Sequence, residues 1–152
     1  MKTYSAKPTD VSRVWHILDA SLTPLGRLST IAARLLLGKD KPTITSHIDV
    51  GDYVIIINAD SLITTGNKLR GKTYYRHSGF PGGLYKRTLE ESIKKDSVEV
   101  IRHSVRGMLP VNKLRKARLD RLKIYAGNEH HHNAQNPQKF EPKKGRAKDN
   151  EQ

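Results

Sequence analysis

The chain has 152 residues, 28 Lys and Arg against 15 Asp and Glu, and a formal charge of +13. That length predicts one domain with an ordinary core, and that charge is far from the balance of a typical metabolic enzyme, pointing to a polyanionic partner, nucleic acid ahead of an anionic membrane. There is no cysteine, which excludes a disulfide framework, a thiolate nucleophile and a Cys zinc site. No apolar run nears the roughly 20 residues of a membrane span and residues 1–10 lack an apolar signal core, so a soluble, non-exported cytoplasmic chain without membrane contact is expected.

Val14 to Asp19 is rich in bulky and β-branched residues and predicts a short strand. Thr23 then reads as a helix cap with Pro24 at the first position, and Leu25, Leu28, Ala32, Leu35 and Leu36 recur at helical spacing until Gly38. Arg27, Arg34, Lys39 and Lys41 lie off that apolar stripe and are candidate phosphate contacts; a merely solvated face is the competing reading for each. Tyr53 to Ile57 is an apolar run without alternation, the pattern of a strand buried on both faces of a parallel sheet. Asp49 and Asp52 flank it, and capping or pairing with an Arg is their expected role.

Lys68 to Arg87 carries Lys68, Arg70, Lys72, Arg76, Lys86 and Arg87 with no acidic residue between them, interleaved with Tyr74, Tyr75, Phe80 and Tyr85. Cations suit a phosphate backbone and flat rings suit unstacked bases, the combination used on single-stranded or looped RNA. Lys68, Lys72, Arg76, Lys86 and Arg87 are therefore candidate phosphate contacts, and Tyr75 and His77 candidates for ribose or base. Gly79, Gly82 and Gly83 are expected to let the backbone approach RNA. Gly66 and Gly71 predict turns, and Thr73 to Tyr75 a short edge strand in which Tyr74 and Tyr75 face opposite sides.

Thr88 and Glu91 form a capping box for a helix over residues 89–95. Asp96 and Glu99 repeat the signature for a second helix with an apolar stripe of Val98, Ile101, Val105 and Met108, leaving Arg102, His103 and Arg106 off it and ending at Pro110. Asn112 is expected to cap a third helix that packs Leu114 and Ala117 inward and offers Lys113, Arg115, Lys116 and Arg118 to RNA. Leu122 to Tyr125 predicts a strand. The domain is expected over residues 1–136, and 137–152 reads as a polar tail, disordered or ordered on RNA.

Two motifs suggest other chemistry. Gly66 to Thr73 matches the phosphate-loop pattern G-x-x-x-x-G-K-[ST], which works only when a strand feeds the loop and a helix starts at its end; here the preceding strand ends near Asn58 and Thr73 is followed by aromatic, Gly and Pro residues. His130, His131 and His132 beside Glu129 suggest a metal, but neighbouring side chains point different ways and do not readily share one ion. No metal or cofactor is expected, and His130 and His132 remain candidates for hydrogen bonding or phosphate contact.

Leu25-Gly26-Arg27-Leu28, Gly38-Lys39, Asp49 to Ala59, Thr65-Gly66-Asn67-Lys68, Tyr75 to Gly83, Gly107-Met108-Leu109-Pro110 and Tyr125-Ala126-Gly127 stand in the order found in the bacterial large-subunit ribosomal protein thirteen family, which the chain resembles from about Tyr4 to Pro137. The resemblance implies a three-layer α/β/α fold with a small, mostly parallel sheet of about four strands, no catalytic residues, and binding to large-subunit ribosomal RNA beside neighbouring ribosomal proteins, in support of subunit assembly. It implies no small-molecule substrate and no homo-oligomer. Ser46, Val111 and His131 depart from the family pattern, so contacts there are not carried over.

Overall fold

The structure is a computed structural model and describes residues 4–140. Its frame is a sheet of four parallel strands in the order β5-β2-β1-β6, with β1 at Trp15–Asp19, β2 at Tyr53–Ile57, β5 at Leu122–Ile124 and β6 at Gln138–Lys139. Ile55 of β2 is in register with Ile17 of β1 on one side and Lys123 of β5 on the other. Val54, Ile55 and Ile56 are fully buried, as an apolar run without alternation requires when both faces of a central strand are covered. β6 was not legible in the sequence. Gln138 and Lys139 pair with His16 and Ile17, and the Phe140 amide donates to Ile17 O at 3.0 Å, so the paired chain runs past the boundary expected at 136; residues 141–152 lie outside the described residues.

The helix α1 spans Leu25–Leu37 and ends at Gly38, whose φ of +74° makes it the left-handed cap. Its start differs from expectation. Pro24, not Thr23, is the N-cap and no side chain caps it; instead Pro24 bridges to Ile63, and the Leu25 amide donates to Ile63 O at 2.9 Å. The helices α3 (Leu89–Lys95) and α4 (Ser97–Met108) start as expected: Thr88 and Glu91 form a reciprocal capping box, and Asp96 accepts from the Glu99 amide. Leu28, Ala32 and Leu36 of α1 pack with Val100, Ile101 and Val105 of α4 on Leu18, Val54, Ile56 and Leu122 of the sheet. Met108, expected in that stripe, is exposed, and Val100 is buried in the core. A part-buried polar crossing between the two helices is satisfied, Ser29 Oγ donating to Ser104 Oγ at 2.8 Å.

The opposite face of the sheet carries Trp15 stacked on Tyr53, ring centres 4.2 Å apart, with His132 at 4.9 Å from Trp15. His131 and His132 also meet the Tyr125 ring edge-on. The segment around the 3-10 turn Asn133–Gln135 thus covers this face and completes a three-layer α/β arrangement.

A second, antiparallel sheet of two strands, β3 (Thr73–His77) and β4 (Leu84–Thr88), stands apart from the first. It follows a single helical turn, α2 (Lys68–Gly71). The strand β3 extends the short strand expected at Thr73 to Tyr75, whereas β4 was hidden by the Gly-Phe-Pro-Gly-Gly run before it.

Candidate nucleic-acid interface

An isolated two-stranded hairpin is marginal in water, and this one is held at its base. The Leu89 amide donates to Lys72 O at 2.9 Å, Leu89 is fully buried, and the capping box of α3 begins at the last residue of β4. Beyond that base both faces are open. In an antiparallel pair opposed residues share a face, so Tyr75, Lys86, His77 and Leu84 lie on one side and Tyr74, Arg76, Tyr85 and Arg87 on the other. Tyr74 turns to the body, half-buried and edge-on to His103 at 5.4 Å. Tyr75 is 64% exposed, with the Lys86 ammonium 6.0 Å above its ring. The alternation expected for the two tyrosines therefore holds.

At the tip, Phe80 is 74% exposed and Tyr85 65%. They belong with the candidate residues, since a large ring left in water on a cationic ribbon is available for stacking on bases. Arg76, His77, Lys86 and Arg87 are all exposed. Gly79 and Gly82 adopt φ of +91° and +73°, and a Cβ on Gly83 would sit 2.0 Å from Ser78 Oγ and 2.9 Å from Phe80 O. The turn itself, closed by Ser78 N–H donating to Gly83 O at 2.9 Å, accounts for these glycines before any RNA is considered.

Near the foot of the hairpin, Lys68 and Lys72 are exposed, Lys72 over the Tyr74 ring at 5.2 Å. The phosphate-loop pattern fails its structural context: Gly71-Lys72 closes a four-residue helical turn and leads into a strand, whereas the motif needs the reverse order.

The helix cations divide. Arg27 and Lys39 are exposed, and Arg34 is exposed but paired with Asp40. Lys41 faces inward: its ammonium donates to Ser12 O at 2.7 Å, Val50 O at 3.0 Å and Asp52 Oδ1 at 2.5 Å. An interior claim on all three donors leaves Lys41 a structural residue.

The helix α5 (Leu114–Asp120) carries a second correction. Ala117, expected inward, is exposed, while Arg118, expected on the RNA side, is only 4% exposed. Arg118 pairs with Asp49 at 3.5 Å, and Arg121, 7% exposed, grips both oxygens of the same carboxylate. The spacing 114, 118, 121 lies on one helical face, so these arginines follow Leu114 to the interior, where Asp49 supplies the counter-charge. That face was readable in principle; what hid it was the habit of placing arginine outside. Lys113 and Lys116 remain exposed, as does Arg106; Arg115 is half-buried and donates to Arg106 O at 3.1 Å.

Burial raises the pKa of Asp49 and of Asp52, but the donors outweigh it. Arg121 and Arg118 at Asp49, and His16, Lys41 and the Val14 amide at Asp52, leave both carboxyls below their usual range. Burial first, then the charges of Lys123, His130 and His131, lower the pKa of His132. His130 accepts from the His132 amide at 3.3 Å, a local turn contact, and His132 packs on Trp15, so both serve the far layer of the sheet.

The exposed cations are thus concentrated on the β3–β4 ribbon, its foot, and the outer sides of α1, α4 and α5. The sequence pattern of the family described as "Ribosomal protein L13" matches residues 13–131. The large ribosomal subunit protein uL13 of Halorhodospira halophila is 50% identical over 141 residues, covering 93% of this chain and 99% of that one. The protein of the same name from Micrococcus luteus is 51% identical, with 93% and 96% covered, and that from Salinispora arenicola is 51% identical over 143 residues, with 94% and 97% covered. With a match over most of its length and half of its residues identical to such relatives, this chain belongs to the ribosomal protein L13 family.

Proposed function

We infer that the chain is a structural, non-enzymatic constituent of the large ribosomal subunit in the cytoplasm, where it binds large-subunit ribosomal RNA and supports assembly beside neighbouring ribosomal proteins. The observation that carries this is the β3–β4 ribbon. It projects from the core with Arg76, Lys86 and Arg87 and with Tyr75, Phe80 and Tyr85 all exposed, and the sequence from Lys68 to Arg87 contains no carboxylate. Such a surface has no use for a protein core and suits phosphates and unstacked bases together. Arg27 and Lys39 on α1, Arg106 on α4, and Lys113 and Lys116 beside α5 extend the same charge around the body, and the chain acts there as a single copy.

Sucrose-gradient fractionation at physiological salt tests this directly. The chain is expected to co-migrate with large subunits. Sedimentation as a free protein, or with small subunits, would remove the proposal.

A further inference from the structure

Backbone hydrogen bonds fix a cleft between the start of α1 and residues 64–72. Ile63 O accepts from the Leu25 amide at 2.9 Å, Lys68 O from the Lys72 amide at 3.0 Å, and Lys72 O from the Leu89 amide at 2.9 Å. The cleft measures about 580 Å³, a size that holds small organic ligands. Met108 and the edge of Leu25 give it apolar wall, with Leu89 buried beneath, and Lys68, Lys72 and Thr64 also line it. Among the described residues no carboxylate lines it.

Apolar surface beside cations, without an opposing negative charge, fits a phosphorylated nucleoside: a flat base for the apolar part and a phosphate for the lysines. Two features favour a nucleotide within an RNA chain over a free one. The strand β3 starts at Thr73, directly after Lys72, so the cleft opens at the foot of the ribbon, where a strand of RNA lying on the ribbon would reach it. The Gly-Lys-Thr sequence also sits at the wrong end of a helix to cradle a free nucleotide's phosphates. Gly26 lies at this cleft in the first turn of α1, and a Cβ there would meet nothing within 4 Å. Glycine disfavours a helix, and here the space it leaves is part of the cleft.

We propose that this cleft receives one unstacked nucleotide of the RNA, its base against Met108 and the edge of Leu25 and its phosphate beside Lys68 and Lys72. The inference rests on the RNA-binding reading above.

The test is ultraviolet crosslinking of the full chain to large-subunit ribosomal RNA, with mass spectrometry of nucleotide-bearing peptides, for the wild type, Gly26→Leu and Lys68→Gln. The wild type is expected to carry one crosslink within residues 64–72 or at Met108 and another on the ribbon. Gly26→Leu fills the cleft from an open helix position. It should keep its melting temperature and the ribbon crosslink, lose the cleft crosslink, and bind about 5- to 150-fold more weakly, the range for one stacked base. Lys68→Gln, on an exposed turn, should weaken the cleft crosslink while leaving that on the ribbon. A wild type crosslinked only on the ribbon, or a Gly26→Leu variant that binds and crosslinks as the wild type does, overturns the cleft and leaves the RNA-binding reading standing. Absence of any crosslink overturns both. A melting shift with millimolar adenosine monophosphate, abolished by Gly26→Leu and unaccompanied by a cleft crosslink to RNA, assigns the cleft to a free nucleotide and also overturns the proposal.

Discussion

Arg121 donates from both of its terminal nitrogens to the two carboxylate oxygens of Asp49, 72 residues away in sequence, and Arg118 approaches the same carboxylate from one turn earlier. This ties α5 and the entrance to β5 to the loop that enters β2. Gly51 lies in that loop, where a Cβ would be 1.8 Å from Leu36 O, so the loop passes hard against the end of α1 and the ion pair closes over it. Removing one partner of a buried pair leaves an uncompensated charge. Asp49→Ala should therefore cost about 3 to 5 kcal/mol in urea unfolding, and Arg118→Gln should be clearly destabilising too. Lys113→Gln and Lys116→Gln, on exposed positions, should stay within about 0.5 kcal/mol of the wild type. Equal tolerance of all four changes would refute the structural assignment of Arg118.

Acid should loosen the same region. Asp49 and Asp52 have folded pKa values below those of the unfolded chain, so on acidification the unfolded state takes up protons first. Their stabilisation is complete above about pH 5 and is lost as pH falls through the unfolded value toward the folded ones. Urea midpoints should be flat near neutrality and fall between about pH 5 and 3. The fall should be smaller for Asp49→Asn, and an identical fall in that variant would show that Asp49 does not contribute.

Adjacent tyrosines should separate stability from binding. Tyr74→Ala removes a ring packed against the core and His103 and should cost stability, up to about 3 kcal/mol because the residue is only half-buried. Its hydroxyl is buried with no hydrogen-bond partner among the described residues, so Tyr74→Phe should be neutral or stabilise by about 1 kcal/mol. Tyr75→Ala should leave the melting temperature alone and weaken RNA binding by about 1 to 3 kcal/mol. The reverse pattern in melting and filter-binding experiments would exchange the two roles.

Salt dependence should count the ribbon's phosphate contacts. Replacing Arg76, Lys86 and Arg87 together by Gln should flatten the plot of log affinity against log salt by about 2 to 3 units of slope, at roughly 0.7 to 0.9 per contact. Replacing Lys41, which is committed to Asp52, should destabilise the fold and leave the slope of the folded protein unchanged. An unaltered slope in the triple variant would remove the ribbon from the interface.

What the sequence alone determined is local. The apolar run at Tyr53 to Ile57, the leucine spacing of α1, the capping box at Thr88 and Glu91, and the uninterrupted positive charge from Lys68 to Arg87 all express preferences that a short stretch of chain carries within itself. Even the alternation of Tyr74 and Tyr75 follows from the two-residue period of an extended strand. Only the tertiary structure decided which cations are free. Lys41, Arg118 and Arg121 look no different in sequence from Lys39, Lys113 and Lys116, and they are drawn inward because Asp49 and Asp52 are held where burial without a counter-charge would be costly. The same holds for β6, whose two polar residues have no strand pattern of their own and pair because the open edge of β1 offers them backbone partners.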